Sequence, residues 1–491
     1  MNFLNRNQVL DAVTQNGLIL QYLSPELQND RDIVLAAVNN RALALKYASQ
    51  ELKGDYEIVL SAVNKDGISL EHASPELKNN REIVLAAVNN FGSALRHASE
   101  ELKGNHEIVL AAVNNDGRAL KYALPDFQND RDIVLAAVNN FVPSLQFASA
   151  ELKNDYNFIL DFVNQNLNNV LSYASPELQN NYDFILTAVT QNGLALKYVS
   201  ENFKNDPEIV MAAITNKSDA YFMASPELRN NRDIALAAVQ NGDILQFLPF
   251  ELRRDRDIVL AAVNYFGLAL DYASQELKND REIVLAAVNN KPFALGYASP
   301  ELQNDREIVL TAVTKTGSVL QFASSELKND RDFILNILTE NGYTLEHASP
   351  ELQNDREIVL AAVNNFGSAL AYASPELQND REIVMAAVNN FGSALRYAPE
   401  QFQNDREIVL AAINRDGMAL DYASPELQND REIVLAAVTN RGFALRHASS
   451  ELQNDREIVL AAVNRHGMVL EYASPDLQND REIVLAAYSK A

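Results

Sequence analysis

Asp30, Asp130, Asp280 and Asp355 are carboxylates of the kind that serve as general acids or metal ligands. Each, however, stands in the same local sequence, Asn-Asp-Arg-Asp/Glu-Ile-Val-Leu. A catalytic carboxylate needs surroundings unlike those of its neighbours, because those surroundings set its pKa. Repeated in one context, these residues read as helix caps. The six histidines divide in the same way. His72, His97, His347 and His447 fill a slot that holds Tyr22, Tyr372 or Tyr397 elsewhere, so they read as packing rings with a polar edge. His106 replaces the arginine of the cap, and His466 lies at a turn. No H-x-x-x-H pair occurs. The absence of cysteine excludes disulfides, thiolate metal sites and a cysteine nucleophile. Asn64-Lys65-Asp66-Gly67, Asn114-Asn115-Asp116-Gly117 and Asn414-Arg415-Asp416-Gly417 are similar to the start of a calcium loop but lack its later bidentate glutamate. Turn chemistry explains them. Phosphate-loop, nucleophile-elbow and zinc-protease motifs are missing. The chain is expected to be no enzyme and to hold no cofactor and no metal.

The elements that carry these residues are copies of one unit, seen at Ser349 to Ala373 as SPELQNDREIVLAAVNNFGSALAYA. Ser349-Pro350-Glu351 starts a short helical turn, with serine as N-cap and proline at the first helical position. Asp355 caps a second start, and Glu357 places negative charge at the positive end of the helix dipole. The longer helix is expected from about Arg356 to Val363. Asn364, Asn365 and Gly367 then form a stop, because Asn and Gly accept positive φ cheaply. Ser368 to Ala373 reads as a shorter helix. The run Ile358 to Val363 is apolar without a gap, so its side chains point all round the axis and need cover from neighbouring copies. A buried parallel strand is the competing reading of that run. The paired alanines, the acidic cap and the Asn-Asn-x-Gly stop favour helix.

The leucine of the short turn marks the register. It falls at Leu27, Leu52, Leu77, Leu102, Phe127 and Leu152 at intervals of 25. The interval lengthens by one to Leu178, returns to 25 at Phe203 and Leu228, shortens by one to Leu252, and holds at 25 through Leu477. The period excludes tetratricopeptide, ankyrin and HEAT units, and the leucine-rich-repeat pattern is absent. The expected fold is all-α: an α-solenoid superhelix of 25-residue repeats, with one longer and one shorter helix per repeat. It is expected as a single continuous array over 1–491, with an irregular middle block at about 156–250.

The pattern Tyr-Ala-Ser-Pro-Glu-Leu-x-Asn-Asp-Arg-Glu-Ile-Val-Leu-Ala-Ala-Val, as at Tyr422 to Val438, resembles the helical repeats called domain of unknown function 4116. The resemblance covers nearly the whole chain and implies no activity, cofactor or catalytic residue. It implies a setting among eukaryotic cell components, including that of a secreted effector of an intracellular microbe.

What varies between copies is outward. The turn after the long helix carries Phe91, Phe141, Tyr265, Phe266, Phe366 and Phe391. The position before the tyrosine slot carries Lys46, Glu71, Arg96, Lys121 and Gln146. The irregular block adds Gln165, Asn166, Asn168, Asn169, Lys217, Asp219 and Tyr221, in stretches that depart from the repeat at Asn164 to Tyr173, at Lys217 to Met223 and at Val239 to Phe247. These turn and block residues are the candidate partner-binding residues. A neutral solvated surface and, for the block, a structural joint are the alternatives.

The leading reading is a non-enzymatic scaffold that binds a protein or peptide along the solenoid surface. A net charge of −25 makes a basic segment the expected ligand and opposes nucleic acid and anionic bilayers. A self-associating structural repeat is the alternative. Repeat-by-repeat RNA reading is the third, and the charge weighs against it. No stretch is long and apolar enough to span a membrane. The start, Met1 to Arg6, has no signal-peptide pattern, so action in the cytoplasm or in a host cytosol is expected.

Overall fold

The long helix of the unit forms because Asp355 supplies its cap. Its carboxylate accepts from the backbone N–H groups of Glu357 (3.0 Å) and Ile358 (3.1 Å), satisfying donors that the first helical turn leaves unpaired. The helix runs over Arg356–Asn365, two residues further than the apolar run. Ile358, Val359, Ala362 and Val363 are fully buried. Leu360 and Ala361 are only half-buried. The apolar run is therefore not covered all round, and a narrow Leu-Ala strip faces outward.

The computed structural model describes residues 5–240, 242–338 and 342–490. Met1 to Leu4 and Asn241, within stretches singled out above, lie outside them. Among the described residues there are only helical elements and turns, with no strand. The fold is an all-α repeat solenoid. The chain divides into two compact units, Met1–Asn241 and Gly242–Ala491. Each unit stacks the same repeat: a short helical turn such as Pro350–Gln353, a long helix such as Arg356–Asn365, and a third segment such as Gly367–Tyr372.

That third segment, the shorter helix of the repeat, is wound as a 3-10 helix. Its bonds run three residues back, for example Ala369 N–H to Phe366 O at 2.8 Å and Ala373 N–H to Leu370 O at 3.3 Å. Six residues between two extended caps leave little room for α-helical bonds, and the tighter winding satisfies more of the backbone. Ala369 and Leu370 point into the core, and Tyr372 lies half-buried beside them.

The Asn-x-Gly stop does not work through positive φ. No described glycine has positive φ, and Asn166 is the one non-glycine residue that does, at 65°. The glycine is there because the next repeat approaches it. A Cβ on Gly367 would collide with the carbonyl oxygen of Ala387, and on Gly442 it would stand 2.6 Å from that of Ala462. The asparagine is a clamp between repeats. Asn390 Oδ1 accepts from Gly367 N–H (2.8 Å), and its Nδ2 donates to Asn364 O (2.8 Å). The same pair recurs as Asn40 on Gly17, Asn90 on Gly67, Asn115 on Gly92, Asn140 on Gly117, Asn216 on Gly193, Asn290 on Gly267 and Asn440 on Gly417. Where the glycine position carries a side chain, as at Ala42, Val142 and Pro292, the residue 23 further on is Lys65, Gln165 or Lys315. The two lysines reach back to Asn39 O and, at 2.8 Å, Asn289 O. Proline has no N–H to give an asparagine there. Long donors also stand opposite retained glycines: Arg415, opposite Gly392, donates to Asn390 O (2.9 Å), and Arg465, opposite Gly442, donates to Thr439 O (2.7 Å).

Candidate functional site

Three strips of polar side chains edge each stack. The first runs along the N-terminal ends of the long helices. Arg356 donates to Asp380 of the next repeat (3.1 Å) and pairs with Glu382; Arg331 does the same with Asp355 (3.0 Å) and Glu357, and Arg31 with Asp55 (3.0 Å) and Glu57. Much of the acid in the sequence is thus capped and paired along this strip. The second strip joins short turns to their neighbours. Ser374 N–H donates to Gln353 O at 2.8 Å, Ser374 Oγ donates to Asn354 Oδ1, and Gln353 Nε2 donates to Leu345 O at 3.1 Å. These bonds use up the repeated polar groups, so the repeated frame offers little to a ligand.

The third strip is the 3-10 layer, and it varies. In the first unit the segments Gly92–His97, Gly117–Tyr122 and Val142–Phe147 line a cleft of about 370 Å³. Its walls include Phe91, Arg96, Arg118, Lys121, Tyr122, Phe141, Gln146 and Phe147. The Arg118 guanidinium lies over the Phe141 ring at 5.9 Å and donates to Asp116 at 2.9 Å. The Lys121 ammonium stands 5.9 Å from the Tyr122 ring. Arg96 Nε donates to His97 Nε2 at 2.7 Å. Neither Arg96 nor Lys121 has a carboxylate within ion-pair distance among the described residues. Partial burial pushes the His97 imidazole down to about 4, with Arg96 and Lys78 adding to the effect and Glu71 opposing it. His72 is also lowered, by burial first, with Lys46, Lys53 and Lys78 acting against Glu71. A molecule of net charge −25 therefore carries a patch here that is cationic and lined by rings.

Other cavities offer less. A groove of about 730 Å³ beside the long helix Arg381–Asn390 is lined by Asn364, Arg381, Glu382, Met385, Ala386, Asn389 and Asn390, which recur along the stack except for Met385, where most copies have leucine. A recess of about 680 Å³ contains Arg415, Arg441 and Arg465. Those cations are already engaged, by Asn390 O (2.9 Å), Asp416 (3.1 Å) and Thr439 O (2.7 Å) respectively. In the irregular block a cavity of about 270 Å³ lies among Leu171, Ser172, Gln179, Tyr198 and Ser200. No three His, Asp or Glu side chains are grouped to hold a metal among the described residues. No described helix is long and apolar enough to cross a membrane.

The candidate partner residues scatter over different environments. Phe91, Phe141 (42 % exposed), Phe391 and Tyr265 (51 % exposed) lie at the surface, while Phe266 and Phe366 are half-buried. Phe366 packs on Tyr343 with ring centroids 3.8 Å apart. Lys217, Asp219 and Gln165 are exposed and Asn169 is half-buried. Two do not belong to the surface. Tyr221 is 2 % exposed because it occupies the core leucine position of the 3-10 segment, and its hydroxyl donates to Arg229 O at 2.9 Å. Asn168 is 8 % exposed. Asn166 is exposed but structural. It is the left-handed residue that ends the helix Tyr156–Asn164, with bonds from Asn166 N–H to Val163 O (3.0 Å) and from Leu167 N–H to Phe162 O (2.9 Å). That pattern is a Schellman cap, and Asn192 Nδ2 fixes it by donating to Asn166 Oδ1 at 2.9 Å. The extra residue of this repeat is spent on the cap. Only Phe91 and Phe141 of the candidate residues come together in one cleft. The cations between them belong to positions that, repeat by repeat, look like free surface variation. The signal in the sequence was the recurrence of Arg96, Arg118 and Lys121 at outward positions of two neighbouring repeats of an acidic chain.

The model of the family described as Domain of unknown function (DUF4116) matches in overlapping stretches, among them 5–53, 55–103, 105–149, 181–229, 255–303, 355–403 and 455–490. The chain belongs to this family of repeat proteins. No curated protein matches it.

Proposed function

We propose that the array is a non-enzymatic scaffold that holds a protein or peptide along the outward face of its 3-10 layer. One observation carries this reading. The repeated frame spends its polar groups on neighbouring repeats, while the 3-10 row above it changes from Lys46 to Glu71, Arg96, Lys121 and Gln146. Rigid frames with variable exposed positions suit recognition, since little ordering is needed on binding. Filling the tyrosine slot with His72 and His97 supports a packing role for those histidines rather than acid–base chemistry. A chain without cysteine fits work in a cytosol, its own or a host's.

A peptide-display selection on the full chain tests this. Beside it runs a variant with positions 46, 71, 96, 121 and 146 all set to alanine. Sequences enriched by the natural chain and lost from the variant are expected. The same sequences from both, or enrichment by neither, contradicts the proposal.

A further inference from the structure

The 3-10 face of the first unit does not share the sign of the molecule. Acid is concentrated on the long-helix strip, where Arg31, for example, already pairs with Asp55 and Glu57. Around the cleft the order is reversed. Arg96, Arg118 and Lys121 are all exposed; of the acids nearby, Asp116 is taken by Arg118 and by Ser93 Oγ at 2.9 Å, and Glu71, one repeat before Arg96, is not among the residues that line the cleft. Rings flank the cations on both sides: Phe91 and Phe141 from the turns, Tyr122 and Phe147 from the 3-10 segments. Cations held against ring faces in a recess are preorganised, so an arriving anion meets charge whose position is already fixed.

We infer that this cleft is the docking site for a short acidic segment of another protein, one that brings two or three carboxylates around an aromatic side chain. The inference deepens the scaffold reading and rests on it. It replaces the basic ligand expected from net charge alone, because recognition is decided by the field inside the cleft. At about 0.15 M salt the Debye length is roughly 8 Å, so the distant acidic strip is screened while the cleft is not. The cleft volume of about 370 Å³ suits one ring and its flanking carboxylates. Single-stranded nucleic acid also pairs cations with rings. A polyanion, however, extends past the cleft over a surface of −25 net charge, whereas a short segment ends where the cations end.

Fluorescence anisotropy on the full chain decides the matter. The probe is a labelled peptide of one glutamate, one phenylalanine and two glutamates, with its C-terminus amidated. The comparisons are the same peptide with lysine for glutamate and a ten-nucleotide oligothymidylate. The combined variant Arg96→Ala, Arg118→Ala, Lys121→Ala is measured beside the natural chain, and so is Lys121→Glu alone, at an exposed position whose ammonium stands 5.9 Å from the Tyr122 ring. Both variants should keep the helical circular dichroism and melting temperature. The glutamate peptide is expected to bind saturably, the lysine peptide not, and the triple variant to weaken binding on the order of tenfold or more. Equal binding by the natural chain and both variants overturns the inference. Binding of the lysine peptide alone also overturns it, yet leaves the scaffold reading standing. Tighter binding of the oligonucleotide turns the cleft into a nucleic-acid site. A sedimenting dimer of the chain alone, lost in the triple variant, makes the acidic strip of a second copy the occupant and overturns the assignment as well.

Discussion

Asn390 does three jobs with one side chain: it accepts from Gly367, donates to Asn364, and so fixes the distance between two repeats. Truncation to alanine leaves a part-buried N–H and a helix-end carbonyl without their partner. Asn390→Ala is expected to cost about 1–3 kcal/mol in chemical denaturation of the array. Tyr221→Phe, which removes only the hydroxyl that reaches Arg229 O, should cost about 1 kcal/mol, and a neutral result would mean that the hydroxyl contributes nothing. His97 gives a pH signature. Its folded pKa of about 4 lies below the roughly 6.5 of an unfolded histidine, so the unfolded chain takes up the proton first. Stability from neutral His97 is full above about pH 6.5 and is lost as pH falls from there toward 4. The stability gap between His97→Tyr and the natural chain should therefore shift in favour of tyrosine over that range; a gap that does not depend on pH contradicts the assignment. The caps, the slots and the structural reading of the repeated aspartates were legible at this scale, because each depends on neighbours within four residues. The asparagine clamp was not, since its partner stands 23 residues away and shows only when the repeats are stacked.

Between elements, the magnitudes separate capping from ion pairing. Asp355 caps its own helix and receives Arg331 from the preceding repeat. An exposed ion pair contributes about 0–1 kcal/mol, a lost aspartate cap about 0.5–2 kcal/mol. Asp355→Ala should thus destabilise more than Arg331→Ala in the same denaturation assay, and the reverse order would make the inter-repeat ladder the main contributor. The glycine–asparagine pair predicts coupling. Gly367→Ala pushes a Cβ into the Ala387 carbonyl and should cost roughly 1–3 kcal/mol. Combined with Asn390→Lys it should cost less than the sum of the two single changes, by about 0.5 kcal/mol or more, because the chain itself pairs Ala42 with Lys65 and Pro292 with Lys315. Strict additivity contradicts the coupling. The long helix could be read from its cap and apolar run. The third segment could not be read correctly as 3-10, since six residues show no full helical period and neighbouring caps decide the winding. The single left-handed Asn166 likewise follows from an inserted residue whose position, but not its conformation, the register revealed.

For the molecule as a whole, the 25-residue leucine register makes the stacked all-α architecture legible in the sequence, because each copy buries itself only against the next. The division into two units was not legible, as the repeat continues across Asn241 and Gly242 with only a one-residue change in spacing. Net charge points to a basic ligand while the inferred cleft points to an acidic one, and the two differ for a physical reason. Net charge sums over acids already capped and paired on one strip, whereas a partner senses only the surface it touches. The most direct test of the account is amide hydrogen exchange of the full chain, with and without a saturating peptide taken from the display selection. Added protection is predicted in Gly92–His97, Gly117–Tyr122 and Val142–Phe147, with the long helices beside them unchanged. Protection confined to the long helices, or spread evenly over every repeat, would contradict the claim that the variable 3-10 face is where this protein binds.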